Sequence, residues 1–404
     1  METHQNNTPD PFAIRNILTL RYDPSQKPLL PKISPTDFKN SQPSIEHIEL
    51  LIEKSLKKTQ DKSPEKIAVA LSGGIDSTLA LFFLRKIFPE SVIEAISVKF
   101  ADSTDESVAG AKIAEHFDAK HHIVTIDNYL EELPKAISIV GLPFWDLHWY
   151  YVAKKAQTLA KYLASGDGGD EIFGGYTFRY KKFLSLVDVN STPLQKVKAY
   201  LECHERDSVP NQGSLFGKKS QFSWEEIYKI LVPYFDNSLS LLDQVFLADY
   251  NGKLLYNFSI VNNKINNHHG LETITPLISN EIISYMMAAS NIYKYDPQNN
   301  LGKLLLRKIL SKYDIESLVS NEKLGFSVNT ISLWESRGQA LCAKYLEDAR
   351  LVKDGWINEN WIRQHINQEN LDVRHINKFL GLLASEIWYR LYVTKETKSN
   401  LLLI

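Results

Sequence analysis

The sequence predicts an α/β fold, a parallel sheet with helices on both faces, followed by a mostly helical C-terminal part. Two observations predict the sheet. Between residues 66 and 126, short apolar runs typical of buried parallel strands alternate with segments of helical periodicity. A glycine-rich turn then follows the first apolar run, where such a fold places a strand-to-helix connection. Beyond about residue 185 the strand signals fade and helical spacing dominates.

The elements follow in chain order. Residues 1–44 are rich in Pro, Asn, Gln and Ser, which predicts an irregular lead-in. Periodicity and composition then predict helix 45–58, strand 66–71, helix 78–87, strand 93–100, helix 106–117, strand 121–126 and helix 149–163. We divide the chain into the lead-in, an α/β domain over residues 45–335 and a helical C-terminal extension over residues 336–404.

Composition narrows the class of protein. The chain has 404 residues, of which 44% are hydrophobic and 23% charged, with a net charge of −2, an ordinary globular balance that gives no reason to expect nucleic-acid binding. Cys203 and Cys342 have neither pairing nor zinc-ligand spacing, which favours a reducing compartment and no structural metal. We find neither a signal-peptide pattern nor an apolar run of roughly 18 residues. The expectation is a cytoplasmic protein with no membrane partner.

The sharpest motif is Ser72-Gly-Gly-Ile-Asp-Ser-Thr78, between a predicted strand and a predicted helix. The paired glycines Gly73 and Gly74 let backbone N–H groups turn toward an anion, and the helix N-terminus adds its positive dipole end. Asp76 beside phosphates is best explained as a Mg²⁺ ligand, since a bare carboxylate would repel them. A strand–turn–helix with a serine N-cap is the structural alternative.

This motif resembles the pyrophosphate-binding loop of the N-type ATP pyrophosphatases, which have the adenine nucleotide α-hydrolase-like fold. Asparagine, argininosuccinate and GMP synthetases and tRNA-modifying thiolases share it, so the loop implies cleavage of ATP between the α and β phosphates without naming the product. The resemblance implies ATP contacts from Leu71, Ser72, Gly73, Gly74, Asp76, Ser77 and Thr78.

A second motif, Ser165-Gly-Asp-Gly-Gly-Asp-Glu-Ile-Phe-Gly-Gly-Tyr176, packs three acids among five glycines. Such turns often carry Asp for local hydrogen bonds, but three acids so close together could also bind a metal ion from a second side of the site. The segment closely resembles the SGxGxDExFGGY stretch of asparagine synthetases. That resemblance implies Asp167 at the reacting carboxylate, Asp170 on the same Mg²⁺ as Asp76, and nucleotide contacts from Ser165 and Gly166.

Further segments match the same family in the same order, so that the resemblance covers roughly residues 45–335. They are Ala114–Phe117, His121–His122, His269–Glu272 with Pro276–Leu277, Lys303–Arg307 and Lys323–Ser327. Cations must meet the negative charge that develops on the phosphates. Lys303, Arg307 and Lys323 are the candidates, with Lys323 the favoured pyrophosphate contact, although each alone is more often a surface charge. Val98 and Phe100 lie where the family's adenine pocket is expected, or they pack in the core.

The sequence departs from the family in two places. Glu2 follows Met1 where glutamine-dependent members begin with a cysteine nucleophile, and Ile17–Tyr22 with Leu29–Lys32 resembles the end of the family's linker. The chain thus resembles a synthetase half without its ammonia-producing half. On the acceptor side, Trp145–Tyr151 is bulky and aromatic. Ile274 replaces an arginine that would clamp a carboxylate, and Asn263–Lys264 replace Asp-Arg.

Three functions remain open. The first is asparagine synthesis from aspartate, ATP and ammonia, releasing AMP and pyrophosphate, with ammonia free or from a separate glutaminase subunit. The second is a related amide ligase or cyclase, of the β-lactam synthetase or lasso-cyclase type, acting on another carboxylate and amine. The third is a non-catalytic nucleotide-binding protein. The altered acceptor side predicts weak use of aspartate as a substrate unless Lys264 compensates for the missing arginine. His148 is either a structural residue or a proton-transfer group. A homodimer is one expectation for the assembly.

Overall fold

The computed structural model describes residues 10–60, 62, 64–100, 105, 107–204, 207–319 and 328–404. Its strands are β1 (Lys66–Ala70), β2 (Val92–Phe100), β3 (Lys120–Ile126), β4 (Tyr162–Ala164), β5 (Glu272–Ile274), β6 (Tyr295–Asp296) and β7 (Leu301–Gly302). Its helices are α1 (Ala13–Leu20), α2 (Ile45–Gln60), α3 (Ile75–Ile87), α4 (Ser107–His116), α5 (Leu133–Val140), α6 (His148–Ala156), α7 (Gly169–Phe173), α8 (Thr177–Leu186), α9 (Pro193–Cys203), α10 (Trp224–Phe235), α11 (Leu241–Asp249), α12 (Ser259–His268), α13 (Asn280–Ala288), α14 (Leu304–Lys312), α15 (Thr330–Leu333), α16 (Gln339–Leu346), α17 (Arg350–Lys353), α18 (Glu359–His365) and α19 (Val373–Tyr392).

The main sheet is parallel throughout, with strand order β3-β2-β1-β4-β5. The central strand β1 is apolar on both faces because alternate residues point to opposite sides of a strand. Ile67 and Val69 join one apolar core together with helix α3, whereas Ala68 and Ala70 join a second core together with α6 and α19. The predicted α/β architecture is therefore confirmed.

The chain reverses its direction of progress across the sheet at β1. It runs from β1 through β2 to β3 on one side, then returns to place β4 on the other side of β1. Loops that leave the carboxyl ends of two such neighbouring strands diverge and open a crevice, which is the usual ligand site of an open parallel sheet. The segments after β1 and β4 are the two motifs singled out from the sequence, so the fold brings them together.

Three segments differ from the sequence prediction. The predicted helix 149–163 ends at Ala156, and strand β4 follows because its residues pair with both β1 and β5. The lead-in contains helix α1, and strand β5 lies within the part predicted to be mostly helical. The division at residue 335 stays a prediction, and the backbone is helical across it. Within the described residues, no helix is long and apolar enough to cross a bilayer.

Asn266 joins three elements and gives a test of this packing. Its fully buried side chain accepts a hydrogen bond from Trp149 Nε1 of α6 at 2.9 Å and donates one to Thr273 Oγ1 of β5 at 2.9 Å. Asn266→Leu leaves Trp149 Nε1 buried without its acceptor, whereas the exposed Thr273 can bond to water, so we expect a loss of about 2 kcal/mol in the free energy of unfolding. Urea denaturation measures it. Asn267→Leu, exposed on the same helix, is the control, and equal loss in both variants would contradict this account.

Candidate functional site

The loop after β1 is held in shape by its own hydroxyl groups. Ser77 Oγ donates to the Gly74 carbonyl at 3.2 Å and Thr78 Oγ1 donates to the same carbonyl at 2.8 Å, while the Ser72 amide donates to Ser77 Oγ at 3.3 Å. Gly73 has φ 79°, a left-handed backbone conformation that glycine adopts readily. These bonds present the first turn of α3, whose N–H groups lack intrahelical acceptors, toward the crevice.

The loop after β4 lies against the first loop so closely that only glycine fits. A Cβ atom on Gly166 would lie 2.5 Å from the Asp76 carbonyl carbon, and one on Gly169 would lie 2.2 Å from Asp76 Cγ. A Cβ atom on Gly175 would lie 1.8 Å from Asp170 Oδ1. The glycines of the second motif therefore allow its backbone to approach the acid of the first.

Lys303 bridges the two loops. Its Nζ lies 2.5 Å from Asp76 Oδ2 and 2.7 Å from Asp170 Oδ1, and its side chain is only 14% exposed. Lys303 precedes α14 with φ 57°, a left-handed conformation that is uncommon for lysine. Burial lowers the pKa of this amine, but the two carboxylates outweigh burial, and the pKa lies above its ordinary value. The group is thus a fixed positive charge at neutral pH.

The same two carboxylates fit a divalent cation. Mg²⁺ usually takes one or two protein carboxylates and completes its shell with water and phosphate oxygens, so a cluster of three acids is not required. Asp76 and Asp170 come from different loops, face one point in space and already share one cation there, the Lys303 ammonium. Within the described part of the chain, no group of three or more His, Cys, Asp or Glu side chains offers another metal site.

Asp167 lies deeper in the same crevice. Its Oδ2 accepts a hydrogen bond from Asn262 Nδ2 at 3.0 Å, and its backbone amide donates to Ser165 Oγ at 3.5 Å. Burial is the main effect on its carboxyl group and raises the pKa; the hydrogen bonds and the neighbouring His148 counteract this in part. The protein environment therefore favours the protonated form of the Asp167 carboxyl group more than water does.

These residues line one cavity, which we call the acid cleft. It is bounded by the two loops on one side and, on the other, by His148, helix α12 and the π-helical segment Tyr250–Phe258 that precedes α12. The lining residues are Asp76, His148, Gly166, Asp167, Gly168, Gly169, Asp170, Glu171, Tyr176, Leu254, Phe258 and Asn262. Four carboxyl groups occur among these described lining residues, and neither lysine nor arginine does. Burial and the neighbouring Asp170 raise the pKa of Glu171 to about 7, while Tyr176 OH donates to Glu171 Oε1 at 2.5 Å.

Comparison with known proteins identifies the family. The family model described as asparagine synthase matches residues 47–390. This chain belongs to the asparagine synthase family. It is 22% identical over 371 residues to asparagine synthetase (glutamine-hydrolyzing) 1 of Bacillus subtilis (strain 168), which covers 83% of this chain and 57% of that protein. A putative asparagine synthetase (glutamine-hydrolyzing) of Mycobacterium tuberculosis (strain ATCC 25618 / H37Rv) is 28% identical over 216 residues, which covers 49% of this chain and 33% of that protein.

The chain therefore spans between about a third and three fifths of the length of these two curated relatives. Among solved structures, NMN synthetase from Francisella tularensis aligns over 59% of this chain and 100% of that chain, with 17% identity and a TM-score of 0.27. The family match over residues 47–390 makes this chain an ATP-utilising member of the asparagine synthase family, and its two glycine-rich loops form the crevice described above.

The remaining predicted nucleotide contacts lie around this crevice. Leu71, Val98 and Phe100 are buried apolar side chains, and Phe100 packs edge-on against Tyr129 with ring centroids 4.9 Å apart. Their side chains thus serve the core, and adenine binding beside Val98 and Phe100 stays a prediction. Thr78 is fully buried and its hydroxyl donates to the Gly74 carbonyl, which holds the loop in shape; its predicted phosphate contact stays a prediction.

The three residues predicted as phosphate-binding cations lie in different places. Lys303 lies between the two carboxylates of the crevice, and its predicted contact with phosphate stays a prediction. Arg307 lies one helical turn further along α14, and its Nε donates to the Gly302 carbonyl at 3.1 Å. Lys323, the favoured pyrophosphate contact, lies outside the described residues. The roles of Arg307 and Lys323 stay predictions.

The aromatic side chains of the acceptor-side segment Trp145–Tyr151 lie partly in the wall of a pocket and partly in the core. Trp145, His148 and Trp149 line a cavity beside the acid cleft, whereas Tyr150 and Tyr151 are buried with hydroxyl groups donating to Glu132 Oε2 and the Tyr129 carbonyl. Of the aromatic side chains in this segment, the two tryptophans therefore line the cavity and the two tyrosines do not.

Neither candidate replacement for the family arginine reaches the acid cleft. Ile274 is 5% exposed, at the end of β5, where its carbonyl accepts from the Ser165 amide at 3.0 Å. Lys264 Nζ donates to the Val140 carbonyl at 2.6 Å. Lys264 therefore does not act as the compensating cation in this structure.

Sequence reasoning missed Asn262, Tyr176 and Glu171 as lining residues with defined partners. Tyr176 and Glu171 stand five residues apart within the second motif, which could have suggested their hydrogen bond. No local signal distinguishes Asn262, because it lies in an Asn-rich helix end and reaches Asp167 only through the tertiary fold.

The contact between the two loops gives a test of the site's geometry. Gly166→Ala puts a methyl group 2.5 Å from the Asp76 carbonyl carbon and forces the loops apart, at a cost of about 1–3 kcal/mol. We expect the affinity for ATP to fall by roughly tenfold or more, measured by isothermal titration calorimetry. Gly213→Ala is the matched control, since its nearest heavy atom would lie 3.9 Å away. Unchanged affinity in Gly166→Ala would refute the tight contact.

Proposed function

We propose that this chain activates a carboxylate with ATP, releasing pyrophosphate and forming an acyl-adenylate, and then forms an amide bond with an amine or ammonia. The observation that carries the proposal is the junction of Asp76, Asp170 and Lys303 at the mouth of a crevice closed by two glycine-rich loops. Adenylation places negative charge on the α-phosphate and on pyrophosphate, and fixed positive groups must meet that charge in the transition state.

The chain's residues suit distinct parts of this reaction. The amides of the loop after β1 bind pyrophosphate, and Lys303 lies within reach of the same region as a permanent cation. Mg²⁺ held by Asp76 and Asp170 would neutralise phosphate oxygens when bound. Asp167, with a raised pKa, sits where the acceptor carboxylate meets the nucleotide and limits repulsion there by its tendency to hold a proton.

Asparagine formation from aspartate and ammonia is the family's named reaction and the first candidate. The acid cleft favours the second candidate, another carboxylate. Its described lining carries four carboxyl groups, and the nearby Lys303 ammonium is already paired with two of them. Aspartate has two carboxylates and would need a further cationic partner for its α-carboxylate. Ile274 does not supply that partner, and the Lys264 amine is bound to the Val140 carbonyl. We therefore expect aspartate to be a weak substrate.

Pyrophosphate exchange tests the proposal directly. The full chain, ATP and MgCl₂ are incubated with labelled pyrophosphate and, in turn, aspartate, glutamate, benzoate and hexanoate. We expect label to enter ATP with at least one carboxylate and turnover to release AMP. Release of ADP and phosphate would exclude adenylation, and exchange that is strongest with aspartate would favour asparagine synthesis.

Asp76→Asn should lower the exchange rate by roughly 100-fold or more, because the crevice loses a charged ligand and the partner of Lys303. The measurement is the initial exchange rate at saturating ATP. Asp118→Asn is the control, since Asp118 is exposed and its φ of 50° suits asparagine equally well. A rate within threefold of the wild type in Asp76→Asn would remove Asp76 from the mechanism.

Lys303→Met should separate metal binding from catalysis. Without nucleotide, the Lys303 ammonium occupies the space between the two carboxylates, so it competes with Mg²⁺. Removing it leaves two facing carboxylates unneutralised, and we expect nucleotide-free Mg²⁺ affinity to rise by roughly tenfold while exchange falls by roughly 100-fold. Calorimetry and exchange measure the two effects. Lys308→Met, exposed on α14, is the control; weaker Mg²⁺ binding in Lys303→Met would disprove the competition.

A further inference from the structure

A second cavity lies against the acid cleft, and we call it the tryptophan pocket. It is enclosed by the end of α1, the segment before α6 and the helices α12 and α19, and Trp145, Trp149, Phe144 and Val261 supply its apolar wall. Its volume is about 60 Å³, enough for a few water-sized groups. The tryptophan pocket is therefore suited to a small ligand with a short apolar body.

The two cavities share a wall. His148, Phe258 and Asn262 line both the tryptophan pocket and the acid cleft. Asn262 also binds Asp167, the residue expected at the reacting carboxylate. A molecule in the tryptophan pocket is thus separated only by these shared side chains from the place where the activated carboxylate is expected.

The charges around the tryptophan pocket largely offset one another. Arg21 forms an ion pair with Asp146 and lies 3.7 Å from Asp207 Oδ1, while Lys253 Nζ lies 2.5 Å from Asp207 Oδ2. Asp146 is the accessible acid, with a side chain 39% exposed against 6% for Asp207. Burial lowers the pKa of Lys378, which also lines the pocket, to about 7. An anion in the tryptophan pocket therefore gains little electrostatic stabilisation, and the carboxyl groups of the neighbouring acid cleft repel it.

His148 lies in the wall that the two cavities share and has the properties of a base. Burial, the largest influence, lowers its pKa, and Arg21 lowers it further, whereas Asp146 and Asp167 raise it; the pKa lies below the ordinary value. The imidazole is therefore neutral at pH 7, and a neutral imidazole carries one unprotonated ring nitrogen, as a general base requires.

We propose that the tryptophan pocket holds the body of a small primary amine and that His148 accepts the proton this amine loses as it attacks the activated carboxylate. The inference rests on the proposed function and names its second substrate. The amine nitrogen forms a bond to the acyl carbon, the bond from that carbon to the AMP oxygen breaks, and AMP leaves with the electron pair. The N–H proton goes to the imidazole of His148, so atoms and charge balance.

Competition between amines tests the pocket. Once pyrophosphate exchange has selected a carboxylate, amide formation by the full chain is compared with ammonium and with propylamine at equal free-base concentration. Three buried carbons should raise kcat/KM for propylamine roughly 10- to 50-fold over ammonium. Trp145→Ala should remove most of that preference, and Trp145→Phe should restore it. A preference for ammonium in the wild type would overturn the proposal.

Substitution of His148 tests the proton transfer. His148→Gln should lower amide formation with propylamine roughly 100-fold and, at a fixed free-base concentration of the amine, remove the acid limb of its pH profile, while leaving pyrophosphate exchange within threefold of the wild type. His116→Gln, exposed on α4, should change neither rate. Equal loss of exchange and amide formation would show that His148 acts only through structure and would overturn its role.

Binding separates this inference from the proposed function. If no carboxylate supports exchange in the wild type, the proposed function fails while the pocket can still be judged. Calorimetric titration of the full chain with propylamine should then show binding that Trp145→Ala weakens roughly tenfold and His116→Gln leaves unchanged. Absence of propylamine binding to the wild type would overturn the pocket assignment in either case.

Discussion

The candidate site depends on one buried ionic contact, the bridge from Lys303 to Asp76 and Asp170. Two carboxylates that face each other in a crevice repel, and desolvation increases the penalty. A third segment, distant in sequence, supplies the ammonium that makes the arrangement tolerable. The left-handed backbone at Lys303 is the local cost of aiming that amine. The loops after β1 and β4 thus stay together before any nucleotide or metal arrives.

The part of the fold that sequence could predict is the part encoded locally. Apolar runs and helical periodicity predict the strands β1, β2 and β3 and the helices between them, and the structure confirms these elements. β4 does not: its three residues follow a helical pattern in the chain and become a strand only because β1 and β5 flank them. Helix α1 was obscured in the same way, since its apolar face finds its partner on α19, more than 350 residues later.

The candidate site shows the same division. Asp76, Asp167 and Asp170 were predictable because glycine spacing and acid clustering are properties of short motifs. That Lys303 would stand between two of them was not, since a lone lysine before a helix gives no sign of its distant partners. The aromatic segment illustrates the limit most clearly: Trp149 and Tyr150 are adjacent, yet α6 turns one toward the tryptophan pocket and the other toward Glu132.

The charge distribution finally constrains which substrate can approach from which side. The nucleotide side offers loop amides and the Lys303 ammonium, which favour phosphate. The acid cleft beyond it carries carboxyl groups whose pKa values are raised by burial at Asp167 and Glu171. An activated carboxylate has lost its own charge by forming a mixed anhydride with the phosphate of AMP, so its acyl group can lie in such a cleft, whereas burying a second anion there would cost more free energy. An incoming amine is neutral or positive. The electrostatics therefore fit the order of the reaction we propose, with activation at the phosphate side first and attack from the side of His148 afterwards.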